Sequence, residues 1–280
     1  MFVPVFKTRI LDSITVDHKV IGNIAGINLK PIDYKNKEIF KKYILSILKM
    51  KNETHKEIFI EELEHFNIEI KEEIERETSM KFPTGREIQL YNLPIIIENL
   101  AKKTNKDLLK EEVLIISNDR KEAIELIYLV ANIFNFISLL GIVEEEKEEV
   151  YREILDNTGI SIFQPVNVEN TLNQYGIIIN LSNRLPFKLK EITKTTLVFD
   201  FSKYKPFSIL GNNSIIYDIN MKMEDLDTGG NFIISKNISS SLYEGLFGEK
   251  LEKYCQISTK YNSYDIDEYI NQIIRIKGEF

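Results

Sequence analysis

The run Val113-Leu114-Ile115-Ile116 is wholly apolar, and five more short runs rich in large apolar residues follow it. They are Phe136–Leu140, Ile160–Val166, Ile177–Leu181, Thr196–Phe201 and Ser214–Asp218. A strand with one wet face alternates apolar and polar residues, whereas a near-continuous apolar run suits a strand buried on both faces. Segments of helical period or short connections separate these runs. Lys121 to Phe134 puts Ala123, Ile124, Ile127, Val130 and Ala131 on one inward face. Glu144 to Asn157 is an acidic helix with Val150, Ile154 and Leu155 as its apolar positions, and Gly159 is placed to stop it. Val168 to Gln174 reads as a short helix. This order predicts an α/β chain with a doubly wound, mostly parallel sheet.

The first third reads differently. Lys19 to Leu29 is a β-type run that Pro31 ends, and residues 36–50 place Ile39, Phe40, Tyr43, Ile44, Ile47 and Leu48 on one helical face. Residues 53–78 form a charged segment of helical spacing, Phe82 to Arg86 a turn, and Glu87 to Lys103 a helix interrupted by Pro94. The change of pattern at the polar stretch Lys102 to Glu111 marks a boundary. The expected organisation is a smaller α+β N-terminal domain over 1–107, the sheet domain over 108–240 and a helical C-terminal tail over 241–280. In that tail Asp265 is a candidate N-cap, and Tyr243, Phe247, Tyr254, Tyr261, Tyr264 and Tyr269 are available to dock it.

Composition narrows the function. The net charge of -7 argues against a surface that wraps nucleic acid. One cysteine, Cys255, excludes an internal disulfide framework and a Cys-based zinc site, and suits a cytoplasmic protein. The apolar stretch Ile124 to Ile142 contains Glu125, Asn132 and Asn135 and reads as a helix then a strand, so no membrane association is expected. His18, His55 and His65 are scattered, and His55 and His65 flank glutamates that read as a solvated helix face; no metal site is expected. Glu224 to Asn231 lacks the alternating ligands of a calcium loop and reads as a surface turn.

The Thr84-Gly85 turn, the helix after it, the strand opening at Val113, the strand ending Asn180-Leu181-Ser182 and the strands Val198-Phe199-Asp200 and Ile216-Tyr217-Asp218 form an order found elsewhere. It resembles the nucleotide-binding half of the shikimate dehydrogenase, glutamyl-tRNA reductase and acyl-carrier-protein reductase-like group, over roughly residues 84–248. The resemblance implies a Rossmann-like fold and, in active members, NAD or NADP.

The residues of that chemistry do not carry over. A dinucleotide enzyme follows its first strand with a glycine-rich turn, so that the backbone can approach the pyrophosphate. Here the segment is Ser117-Asn118-Asp119-Arg120-Lys121-Glu122, and no glycine occurs between Gly85 and Gly141. Asp119 and Glu122 have capping-box spacing, which satisfies helix N–H groups a phosphate would use. A carboxylate there also repels a pyrophosphate by about 1–4 kcal/mol at ~4 Å. Arg120 and Lys121 argue the other way. No basic residue follows the second strand, which disfavours NADP, and Glu144 to Glu146 suit a helix start. The nucleophilic cysteine of the reductases has no counterpart in the matching region.

The expectation is a degenerate member of this group that has lost dinucleotide-dependent catalysis and acts as a binding, regulatory or scaffold protein, with no cofactor. The alternative is an NAD(P)-dependent oxidoreductase with a non-standard phosphate loop, in which Asn118, Arg120 and Ser182 line the cofactor site and NAD(H) is the first candidate. A sensor that holds a small molecule in the crevice is the third reading. The partner, small molecule or protein, is not fixed by the sequence.

Overall fold

The computed structural model describes residues 10–26, 36–60, 66, 68–190, 192, 196–210, 214–230, 232–248 and 252–274. Two compact units emerge, one of residues 86–220 with 251–280 and one of residues 1–85 with 221–250.

The larger unit carries the sheet. After α3 (Arg86–Thr104) its elements are β3 (Glu112–Ile116), α4 (Arg120–Val130), β4 (Phe136–Leu140), α5 (Glu144–Thr158) and β5 (Ile162–Phe163). Then come α6 (Val168–Thr171), β6 (Ile177–Asn180), β7 (Leu197–Asp200) and β8 (Ile215–Ile216). The six strands lie in the order β5-β4-β3-β6-β7-β8, and every neighbouring pair is parallel. Counted within the unit this is 3-2-1-4-5-6, the Rossmann order, with its switch point between β3 and β6. The apolar runs explain it. Val113 to Ile116 and Ile177 to Ile179 are 0–2% exposed, as strands covered on both faces must be. One face (Leu114, Ile116, Ile178, Val198, Ile215) packs against Val168, Leu172, Tyr175 and Phe207. α3 packs on α4 and α4 on α5, and none of the three contributes a residue to that cluster.

Register positions the site. Ile116 pairs with Leu140 on one side and Asn180 on the other, and Asn180 pairs with Asp200. The carboxyl ends of four strands are thus level. Gly141, just past β4, has φ +107, and a Cβ there would lie 2.5 Å from the Ser117 carbonyl oxygen. The close approach that needs a glycine occurs beside the turn after β3, not within it.

The C-terminal stretch of this unit, expected to be helical, also carries strands. β12 (Gln256–Ser258) pairs antiparallel with residues 218–220 of β9 (Asp218–Lys222), and with β13 (Ser263–Tyr264). Asp265 closes a capping box with Glu268 at the start of α8 (Ile266–Tyr269). The fully buried Tyr269 donates its hydroxyl to the Ser214 carbonyl at 2.5 Å.

In the smaller unit, β1 (Ile10–Val16) and β2 (Lys19–Gly26) form a hairpin around Asp17-His18, both at positive φ as a type I′ turn requires. β10 (Leu226–Thr228) pairs with the other side of β1. Helices α1 (Lys37–Met50) and α2 (Ile68–Thr78) share a core built on Phe40, Tyr43, Ile44, Ile47 and Ile74. The unit also holds β11 (Asn237–Ser239) and α7 (Ser240–Phe247).

Several expectations change. The units divide at Gly85/Arg86 rather than at residue 107, because α3 packs with α4, and the tail is split between the units. The strand expected over Ile160–Val166 pairs only at Ile162 and Phe163. It is the sheet's edge, and Pro165 has no N–H to offer a ladder. The Glu224–Asn231 segment is not wholly a turn, since Leu226 to Thr228 join a sheet through Leu226, which is buried. Residues 53–60 are not helical, and Glu57 forms a parallel bridge with Lys81. The end of the run to Leu29, His65 and Asn231 lie outside the described residues.

Substituting Gly141→Ala is expected to destabilise the chain by at least about 2 kcal/mol, from a strained φ and a backbone clash. Urea unfolding should show a lower midpoint at an unchanged slope; an unchanged midpoint would contradict the tight approach to Ser117.

Candidate functional site

The crevice of a Rossmann sheet opens at the carboxyl ends of its strands, at the switch point. In this chain β6 and β7, apolar until then, end in polar residues, Asn180 and Asp200. Asp200, the last residue of β7, is fully buried. Its Oδ1 accepts from Asn180 Nδ2 at 2.8 Å, Ser202 Oγ at 2.6 Å and Ser202 N–H at 3.3 Å. Its Oδ2 accepts from the Phe207 N–H at 3.0 Å. A buried carboxylate without partners is very costly, and four donors supply what water would.

The network continues across the switch point. Asn180 Oδ1 accepts from the Ser182 N–H at 3.1 Å, and Asn180 Nδ2 donates to the Ser182 carbonyl at 3.0 Å. Ser182 Oγ donates to the Arg184 carbonyl at 2.8 Å and lies 3.2 Å from Asn118 Oδ1, in the turn after β3. From there Ser117 Oγ accepts the Asp119 N–H at 3.2 Å, and Asp119 Oδ1 accepts the Glu122 N–H at 2.9 Å as the N-cap of α4. The Glu122 side chain does not complete the expected capping box. It pairs instead with Arg86 Nη1 at 3.0 Å, and Arg86 Nη2 donates to the Leu181 carbonyl at 3.3 Å. Asn118, Asp119, Glu122, Arg86, Leu181 and Ser182 thereby close a ring over the gap between β3 and β6.

Ionisation follows from this packing. Burial pushes the Glu122 carboxyl above its usual range, Arg86 pulls it back, and Asp119 adds to the rise. Beyond β7, Lys205 adopts a left-handed backbone with φ 51. Its Nζ donates to the Asp200 carbonyl at 2.9 Å and the Tyr217 carbonyl at 2.6 Å, joining the ends of β7 and β8. Burial holds the Lys205 amine below its usual range, while Asp200 and Asp218 act against that. The Tyr217 hydroxyl is buried with no hydrogen-bond partner among the described residues, and burial raises its pKa. Asp218 Oδ1 accepts from Gln89 Nε2 at 2.9 Å.

Of the three residues expected to line a cofactor site, Asn118 and Ser182 meet and Arg120 leaves. The Arg120 guanidinium is held by α5, at 2.9 Å from Glu149 and 3.0 Å from Glu153. Lys121 pairs with Glu125 along its own helix at 3.5 Å. Arg86 and Asp200 were not singled out by the sequence. Arg86 read as the end of a turn and Asp200 as the end of a strand. The available signal was a polar residue closing an apolar run, at Asn180 and again at Asp200.

The polar groups of the turn after β3 are engaged within the protein. The turn has no glycine, the Asp119 and Glu122 amides are already committed, and the carboxylates of Asp119 and Glu122 flank the helix start. The cation expected to offset them is bound to α5. Among the described residues no group of three or more His, Cys, Asp or Glu is arranged to hold a metal ion, and no helix is long and apolar enough to cross a membrane.

The raised Glu122 pKa has a signed consequence. Between the ordinary value of 4.5 and the raised value, the folded state holds a proton that the unfolded state has lost. Unfolding free energy therefore falls as pH rises through that window. From pH 4.5 upward, urea midpoints of Glu122→Gln should fall less than those of the wild type, in which Glu57 is raised as well. Parallel curves would contradict the burial assigned to Glu122.

No protein-family model matches the chain, and no curated protein matches it. Among solved structures it is similar to L-tryptophan dehydrogenase from Nostoc punctiforme, at 14% identity and a TM-score of 0.28, over 57% of this chain and 44% of that one. It is also similar to the A chain of dipicolinate synthase from Bacillus subtilis, at 15% identity and a TM-score of 0.32, over 50% of this chain and 48% of that one. The matches cover less than half of either structure's length. Likeness at this level carries no argument about activity, and the Rossmann assignment rests on the strand order.

Proposed function

We propose that this chain is a Rossmann-like protein that has given up dinucleotide-dependent catalysis and acts as a binding, regulatory or scaffold protein. The observation that carries the reading is the ring of the chain's own polar groups over the switch point. Asn118 and Ser182 lie 3.2 Å apart where a ligand would separate the ends of β3 and β6. The Arg86–Glu122 pair, 3.0 Å apart, closes the other side. To seat a pyrophosphate, the protein would have to break these bonds and face two carboxylates, with Arg120 drawn off by Glu149 and Glu153.

One feature favours an NAD(P)-dependent oxidoreductase as the second reading. Ser182 and Asn118 do come together at the crevice, and NAD(H) suits the acidic segment after β4 better than NADP does. Calorimetric titration of the whole chain with NADH and with NADPH separates the two. The proposed reading expects no saturable binding of either up to about 1 mM, or -4.1 kcal/mol. Binding of either tighter than ~100 μM, about -5.5 kcal/mol, would overturn it.

A further inference from the structure

The smaller unit contains none of the nucleotide crevice but holds a cleft of about 900 Å³. Small-molecule sites span roughly 300–1,000 Å³, and they combine an apolar lining with a few polar groups that orient the ligand. The floor of this cleft is apolar and buried, with Ile14, Tyr43, Ile47, Met80 and Ile238. Its polar groups say what the floor would hold.

The charged lining is unbalanced. Among the described residues Lys51 and Lys56 stand against Glu57 alone, a surplus of one positive charge. Lys51 is half-buried at the end of α1, and its Nζ donates to the carbonyl of Thr78, the last residue of α2, at 2.7 Å. That bond uses one of the ammonium's three N–H donors. Among the described residues neither Lys51 nor the exposed Lys56 pairs with a carboxylate. The polar side chains beside them are committed to one another. Asn52 Oδ1 accepts from the Thr54 N–H at 3.0 Å and the Thr54 hydroxyl at 2.6 Å, and His55 Nε2 lies 2.9 Å from Asn23 Oδ1. Glu57 stands by α7, where a Cβ on Gly245 would lie 3.5 Å from its Oε2. Its neighbour Glu244 accepts the Gly85 N–H.

We infer that this cleft takes a fatty-acid-like monocarboxylate, its carboxylate on Lys51 and its alkyl chain on the floor. The carboxylate gives the two remaining N–H donors of Lys51 charge-assisted hydrogen bonds and cancels the surplus charge. A cation drawn partly out of water gains most from such a partner. Head and floor adjoin. Met80 lies two residues past Thr78, and Ile47 lies one helical turn before Lys51, whose backbone N–H donates to the Ile47 carbonyl at 2.9 Å. A neutral hydrocarbon fills the floor and leaves the surplus, and an alkylammonium adds to it.

The test uses the whole chain and three probes of one chain length, decanoate, decanol and decyltrimethylammonium. Affinity is read by calorimetry, and the place of binding by NMR of the Ile14, Ile47 and Met80 methyl groups. Decanoate should bind with a Kd below about 1 mM, and at least about tenfold, or 1.4 kcal/mol, tighter than decanol. The three methyl signals should shift with the same saturation. Lys51→Gln should lose the preference for decanoate and keep its affinity for decanol, and Lys51→Arg should retain the preference. Equal binding of decanoate and decanol, tighter binding of decyltrimethylammonium, unmoved methyl signals or no saturable binding of decanoate would overturn the inference. So would an unchanged preference in a folded Lys51→Gln. The comparison of head groups on the wild type decides the matter even where a variant fails to fold. Nucleotide binding moves none of these readouts, so this inference and the proposed function fail separately.

Discussion

The Asp200 carboxylate is the fixed point of the larger unit. It is fully buried, and its four donors come from β6, from the turn after β7 and from Phe207. Removing those donors would leave a buried charge uncompensated, so each is held in place by the need to satisfy it. Asn180, once oriented by Asp200, orients Ser182, and Ser182 reaches Asn118. A structural demand inside β7 thus reaches the switch point on the far side of β6. The mouth of the sheet is organised as an internal polar network.

The missing glycine of the β3–α4 turn fits the same picture. A turn that admits a pyrophosphate must bring bare backbone toward the ligand. This turn meets other protein groups instead, so its residues can carry the side chains that make them. Asp119 supplies the negative charge that the start of α4 attracts, and it satisfies one of the helix's free N–H groups. The tight approach survives at Gly141, where backbone meets backbone at the end of β4. Both positions obey one rule: glycine appears where a side chain would strike something that cannot move.

Most of the sheet was legible in the sequence because its strands are buried on both faces. Phe136 to Leu140 and Ile177 to Asn180 are bounded almost where their apolar runs are bounded. Ile160 to Val166 was overread, since apolar residues at a sheet edge do not all pair. At the site, the Asp119 cap was legible from local spacing, and the Glu122 half of the box was not. Glu122 turns to Arg86, thirty-six positions earlier in the chain. The same holds for Arg120, whose partners Glu149 and Glu153 lie on the next helix. Spacing along a sequence reports contacts within one helix, and these pairs depend on how helices pack.

The account depends on the turn after β3 having no affinity for a diphosphate. Inorganic pyrophosphate added to isotopically labelled protein addresses that turn alone, without the adenosine and nicotinamide groups. The backbone amide resonances of Ser117 to Glu122 and of Leu181 and Ser182 report on it. The account predicts that they stay in place up to about 10 mM ligand, weaker than the -4.1 kcal/mol of a millimolar site. A saturable shift confined to those amides, at sub-millimolar pyrophosphate, would contradict it and return the chain to the nucleotide-binding Rossmann proteins.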